Sequence, residues 1–154
     1  MPSAHGTGNP LATLDFAEGA CGEPAQNGGW RCYSDRPGKP GWISEVSSHG
    51  GHGDGAPTLS FSMPLGSSKL TVGYLRSYDA RMGVARVWLD DDTGASVLLN
   101  GSWASRTSQT DLSVVRIAAL CQRSCLAARR APKHRVSVQL VSGRKFKLLS
   151  LEMC

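Results

Sequence analysis

The sequence has only four histidines in 154 residues, His5, His49, His52 and His134, and no Gly-x-Ser-x-Gly turn. A serine hydrolase needs a nucleophile on a sharp turn, a histidine base and an orienting acid. Three of the histidines lie in loop-like sequence and His134 stands at a strand start, so no triad is expected. No stretch comes near the roughly 20 consecutive apolar residues of a membrane-spanning helix. No apolar pattern of helical period runs beyond two turns either, so helix should be scarce. The Cys-x2-Cys knuckle that usually forms half of a structural zinc site is also missing. The stretch Met1-Pro2-Ser3-Ala4-His5-Gly6 has no basic segment followed by an apolar one, so a secreted protein of this sequence is expected to be cut from a longer precursor.

Five cysteines are present: Cys21, Cys32, Cys121, Cys125 and Cys154. Cys21 and Cys32 bracket a glycine-rich loop, and Cys121 and Cys125 bracket a short polar turn. Two local disulfides in an oxidising compartment fit this usage, with Cys154 left over, either free or paired outside the chain. Spacing does not fix connectivity, and five reduced thiols in a cytosolic protein are the alternative. Asn100-Gly101-Ser102 matches the acceptor for N-linked glycan just after a strand, in keeping with a secreted or extracellular protein.

Residues 1–57 hold most of the glycines and prolines and read as a loop-rich segment that packs partly on the core. Two islands in it, 27–33 with Trp30 and Tyr33 and 39–43 with Trp42, combine turn residues with aromatics. From Thr58 the pattern changes to period two, the signature of half-buried strands. Leu59, Phe61 and Met63 alternate with serines, and Leu70, Val72 and Tyr74 with Thr71 and Gly73. Ala85, Val87 and Leu89 lead through Asp90-Asp91-Asp92-Thr93-Gly94 to Val97 and Leu99, a hairpin. Ser113, Val115 and Ile117 share one face of a further strand. Residues 126–132 can make one helical turn that Pro132 ends. Val136, Val138 and Leu140 pass through Ser142-Gly143 to Phe146 and Leu148, which reads as a second hairpin with a lysine-bearing outer face. Seven or eight short strands predict an all-β protein, with an antiparallel β-sandwich of jelly-roll or Greek-key type over residues 58–154.

The formal charge of +5 is concentrated near the C-terminus, where Arg123, Arg129, Arg130, Lys133, Arg135, Arg144, Lys145 and Lys147 face only Glu152. Such a patch is either a solvated strand face with a basic loop or a surface that draws an acidic partner such as an anionic polysaccharide. Nucleic acid is disfavoured, because the basic residues lack the interleaved aromatics of a stacking platform. His49, His52 and Asp54 supply donors for a transition metal, but their glycine setting would spend binding energy on ordering the loop. Asp90, Asp91 and Asp92 carry the carboxylate oxygens that calcium prefers and are the better metal candidates, although an acidic hairpin tip explains them equally well. No other cofactor is expected.

Glycan binding rests on aromatic faces that stack on sugar rings, helped by polar side chains for the hydroxyls. Trp30, Tyr33, Trp42, Tyr78 and Trp103, with Arg76, are the candidates, and core packing is the ordinary alternative for such residues. Trp88 lies on the outward parity of its strand, with Arg86 beside it.

Several segments together carry a resemblance: Lys39-Pro40-Gly41-Trp42-Ile43, the run Leu70 to Tyr78 with Met82-Gly83, Leu99-Asn100-Gly101-Ser102-Trp103 with Ser108, and Lys145-Phe146-Lys147-Leu148. Residues 28–151 resemble the β-rich C-terminal region that follows the catalytic domain in plant and green-algal secretory proteins related to SGNH (GDSL-type) esterases. The resemblance implies an accessory module of a wall- or glycan-directed protein. That family's Gly-Asp-Ser nucleophile and Asp-x-x-His pair are absent, and Gly53-Asp54-Gly55 has glycine in the nucleophile's place, so no catalytic residue carries over. The expected function is therefore a non-catalytic accessory β-sandwich that binds carbohydrate. The alternative is a structural module that packs against a neighbouring domain or subunit.

Overall fold

The computed structural model describes residues 12–16, 21–47, 56–64, 69–116, 119 and 133–153. The expected Cys121–Cys125 bridge, Cys154, the His49/His52/Asp54 run, Arg123, Arg129, Arg130 and the helical turn at 126–132 lie outside these residues.

Ten strands are present among the described residues: β1 (Ala12–Asp15), β2 (Arg31–Ser34), β3 (Pro40–Glu45), β4 (Thr58–Met63), β5 (Lys69–Arg76), β6 (Val84–Leu89), β7 (Val97–Asn100), β8 (Gln109–Arg116), β9 (His134–Ser142) and β10 (Lys145–Met153). They form an antiparallel β-sandwich. One sheet runs β2-β3-β10-β5-β8, and β1 also pairs with β10; the other runs β4-β9-β6-β7. β3 pairs with the first half of β10 and β1 with the second half.

The period-two pattern from Thr58 onward dictates the core. Leu59, Phe61 and Met63 from β4, Leu70, Val72 and Tyr74 from β5, Ala85, Val87 and Leu89 from β6, and Val136, Val138 and Leu140 from β9 are all buried in one cluster. Each fully buried aliphatic side chain of this kind contributes about 1.5–3 kcal/mol. Aromatic rings join the two sheets: Trp42 of β3 meets Phe61 of β4 edge-on at 6.0 Å between centroids.

Two expectations are corrected. The sandwich does not begin at Thr58, since β1, β2 and β3 all belong to the six-stranded sheet. Glycine and proline masked them: β3 is buried on both faces over Gly41–Ser44, so it has no alternation to read. The last two strands also do not form a hairpin, because β9 pairs with β4 and β6 while β10 pairs with β1, β3 and β5. The Ser142-Gly143 turn carries the chain from one sheet to the other. Most connections switch sheets in this way, and the paired sequence neighbours are β2–β3 and β6–β7. The latter is the hairpin expected around Asp90-Asp91-Asp92.

Candidate functional site

β10 places Phe146 and Leu148 in the core, so Lys145 and Lys147 point to the opposite, outer face of the six-stranded sheet. That face is not solvated here. The turn between β2 and β3 folds over it, and Lys147 is left 2% exposed and Lys145 6%. Asp35, carried by this turn, bridges the two ammonium groups: its Oδ1 accepts from Lys147 Nζ at 2.5 Å and its Oδ2 from Lys145 Nζ at 2.8 Å. Lys147 also donates to the carbonyl of Lys39. The lysine stem needs Gly41 beneath it, because a Cβ there would lie 2.9 Å from Lys147 Cε and from the carbonyl oxygen of Leu148.

Burial works to raise the Asp35 carboxyl, but the hydrogen bonds from Lys145 and Lys147 outweigh it and hold the group below its ordinary value. Burial likewise works to lower the Lys145 ammonium, and Asp35 overcomes it and raises the group.

These residues form one side of a cavity of about 130 Å³, whose other walls are Arg36, Lys39, Leu75, Ser77, Asp79, Arg81, Met82 and Ser108. Asp79 accepts from Arg81 through both carboxylate oxygens, and those bonds lower its carboxyl to about 2. Ser77 and Ser108 share a hydrogen bond at 2.7 Å. Tyr78, between the wall residues Ser77 and Asp79, is 51% exposed.

Next to Ser77, the Arg76 guanidinium sits 4.6 Å from the centroid of the Trp103 ring and pairs with Asp111 at 3.2 Å. Trp103 is tied to this place by its backbone N–H, which donates to the Ser77 carbonyl at 3.1 Å. The buried Arg76 Nε and Trp103 Nε1 have no hydrogen-bond partner among the described residues. Arg76 and Trp103 thus form a pair joined to the wall residue Ser77, and Tyr78 follows Ser77 in sequence.

Trp30, Tyr33 and Trp42 form a second group around an open groove that also takes in Cys21, Asn27, Arg31 and Cys32. Its floor is structural. The Cys21–Cys32 disulfide is formed, Trp42 Nε1 donates to the Cys21 carbonyl at 2.8 Å, and Trp30 Nε1 donates to the Pro57 carbonyl at 3.0 Å. Both indoles are buried in the core and offer the groove no full ring face. Only Tyr33 of this group is exposed, with its hydroxyl 3.5 Å from Glu45. Burial, and then Glu45, raise its phenol above the ordinary value.

The residues that sequence reasoning missed are Asp35, Ser77, Asp79 and Arg81. No local pattern marks Asp35, which meets Lys145 and Lys147 only through the fold.

Among the described residues no group of three or more His, Cys, Asp or Glu side chains is placed to hold a metal. Asp90 spends Oδ2 on His134 Nδ1 and Oδ1 on the Arg135 backbone N–H, and Asp91 pairs with Arg135. The acidic tip is thus tied to β9. Trp88 is buried under the Arg86 guanidinium, 5.1 Å from its ring centroid. Asn100 is exposed, and its Oδ1 accepts from the Ser102 N–H at 2.9 Å.

No protein-family model and no curated protein matches the chain. Solved structures do. A two-domain esterase active on acetylated mannans, crystallized with mannopentaose, superposes with a TM-score of 0.64 at 15% identity over 97% of this chain, which spans 38% of that esterase. A family 35 carbohydrate-binding module from Clostridium thermocellum gives 0.51 at 8% identity, covering 91% of this chain and 96% of the module. An exo-beta-1,3-galactanase from Phanerochaete chrysosporium gives 0.52 at 10% identity, covering 92% of this chain and 29% of the enzyme. At such identities the likeness is one of fold: the chain has a β-sandwich of the shape found in carbohydrate-binding modules and in regions of glycan-active enzymes.

Proposed function

We propose that this chain is a non-catalytic, carbohydrate-binding β-sandwich, an accessory module of a secreted glycan- or cell-wall-directed protein. The carrying observation is the cavity over β10, walled by polar side chains from four separate segments, with the exposed Tyr78 between two of its wall residues in sequence. Ligand sites of this kind are concave, with a few fixed polar groups and an apolar or aromatic surface that takes the ring. Arg76 and Trp103 extend the contact surface, and Tyr33 adds an aromatic edge at the neighbouring groove. The fold shared with a carbohydrate-binding module and with part of a two-domain esterase supports the reading. So does the resemblance to the tail region of SGNH-type esterases. The Cys21–Cys32 bridge agrees with an oxidising compartment. A glycan on the exposed Asn100 belongs to the same reading.

A microarray of plant and algal polysaccharides tests the proposal. Selective binding to at least one glycan class is expected, and silence across the array counts against it.

A second reading has its own observation. Leu112 and Val114, on the edge strand β8, are 62% and 61% exposed, as they would be if β8 packed against a neighbouring domain. Leu112→Ser with Val114→Ser would then improve the solubility of the isolated chain without touching glycan binding.

A further inference from the structure

We infer that the cavity over β10 selects an anionic sugar residue, one bearing a ring carboxylate or a sulfate ester, over a neutral one. The inference rests on the carbohydrate-binding reading and adds the ligand's charge class.

A neutral sugar presents hydroxyls, which both donate and accept, so a site for it needs free acceptors as well as donors. In this cavity the carboxylate acceptors are largely used. Arg81 fills Asp79 with four N–H contacts, two on each oxygen, while each oxygen of Asp35 accepts one ammonium N–H and keeps one lone pair. Donors, by contrast, are in surplus. Each ammonium has three N–H groups; Lys147 spends two, on Asp35 and on the Lys39 carbonyl, and Lys145 spends one on Asp35. Of the paired hydroxyls of Ser77 and Ser108, one donates to the other and the second O–H is left over.

The charges point the same way. Arg36, Lys39, Arg81, Lys145 and Lys147 line the cavity with Asp35 and Asp79, and Glu45 lies 3.5 Å from Lys145 and 3.7 Å from Arg81. Five cations thus face three carboxylates, and neither Arg36 nor Lys39 forms an ion pair with a described carboxylate. Lys145 and Lys147 are more than nine-tenths buried, so their surplus charge is poorly screened, and an anionic acceptor is the complement that such a site lacks.

Titration calorimetry with the intact chain tests this, using a neutral mannan, a polyuronate, a sulfated galactan, polyglutamate and duplex DNA as probes. The expected result is binding of the polyuronate or the sulfated galactan at least about tenfold tighter than the mannan, a difference of about 1.4 kcal/mol. The arm that binds tells carboxylate from sulfate. Arg36 and Lys39 are exposed, so the Arg36→Glu/Lys39→Glu variant should fold normally and lose about tenfold or more on that glycan alone. Equal affinity for mannan, unchanged in the variant, overturns the inference while leaving the carbohydrate-binding reading intact. Equal affinity for polyglutamate or DNA overturns it as well, since that is attraction to any polyanion. If no polysaccharide binds, both readings fall.

Discussion

Lys147 donates to Asp35, 112 residues away in the chain, at 2.5 Å, and this contact fixes the β2–β3 turn over the outer face of the six-stranded sheet. One carboxylate serves two buried ammonium groups. Whatever the cavity binds, its roof is held by this triad.

Asp35→Asn should therefore destabilise the protein strongly. Removing one member of a buried ionic cluster leaves uncompensated charge and costs about 3–5 kcal/mol. Replacing Lys145 and Lys147 by methionine in the same chain should recover much of the loss, because no buried charge is then left. Urea unfolding of the single and triple variants checks both outcomes; a midpoint unchanged by Asp35→Asn contradicts them.

The carboxylates set an acid limb. Asp35 is held below 3.8, and Asp79, hydrogen-bonded by Arg81, is lowered from 3.8 to about 2. Between these values the unfolded chain binds more protons than the native one, so stability falls as pH drops from about 4 toward 2. Lys145 has the opposite sign: its raised value gives stability that is complete below 10.5 and is lost as pH rises through the folded value. Thermal midpoints measured from pH 2 to 5 should fall with acid, and less steeply in Asp79→Asn. Equal slopes for that variant and the wild type would assign the acid limb to other groups.

The aromatic candidates should separate by role. Trp30 and Trp42 sit in the core with their N–H groups bonded, so changing either to alanine costs about 3–5 kcal/mol of stability. Tyr78→Ala, at an exposed ring, should leave the unfolding midpoint within about 0.5 kcal/mol and act on glycan binding instead. Comparing the three by denaturation and by binding makes the distinction.

The Cys21–Cys32 bridge closes a short loop, with a sequence separation of 11. Chain entropy assigns such a cross-link about 2–3 kcal/mol. Cys21→Ser/Cys32→Ser should lower the urea midpoint accordingly. Gly41→Ala, which sets a Cβ against the Leu148 carbonyl and the Lys147 stem, should cost about 1–3 kcal/mol by overpacking. Full stability in the alanine variant would show that the lysine stem has room to move.

The sequence made the core of β4, β5, β6 and β9 readable, because each of these strands has one face in the sandwich and one outside it, and alternation is the trace of that asymmetry. It did not show which strands pair. Period two is the same whether the next strand returns in the same sheet or crosses to the other, so β9 and β10 looked like a hairpin. β3 was hidden because both of its faces are buried over Gly41–Ser44, which removes the alternation. Of the candidate site, Arg76, Tyr78 and Trp103 were legible as polar and aromatic residues around the end of β5 and in the segment after β7. The basic face was legible as charge, but not its burial. That depends on Asp35, whose role exists only once the β2–β3 turn is folded onto β10.

Electrophoresis of the wild-type chain and Tyr78→Ala through gels containing single plant or algal polysaccharides tests carbohydrate binding at this site most directly. Retardation of the wild type in at least one gel, with mobility restored in Tyr78→Ala, is the predicted result. Free migration of the wild type in every gel contradicts glycan binding, and equal retardation of the two proteins contradicts the part given to Tyr78 in it.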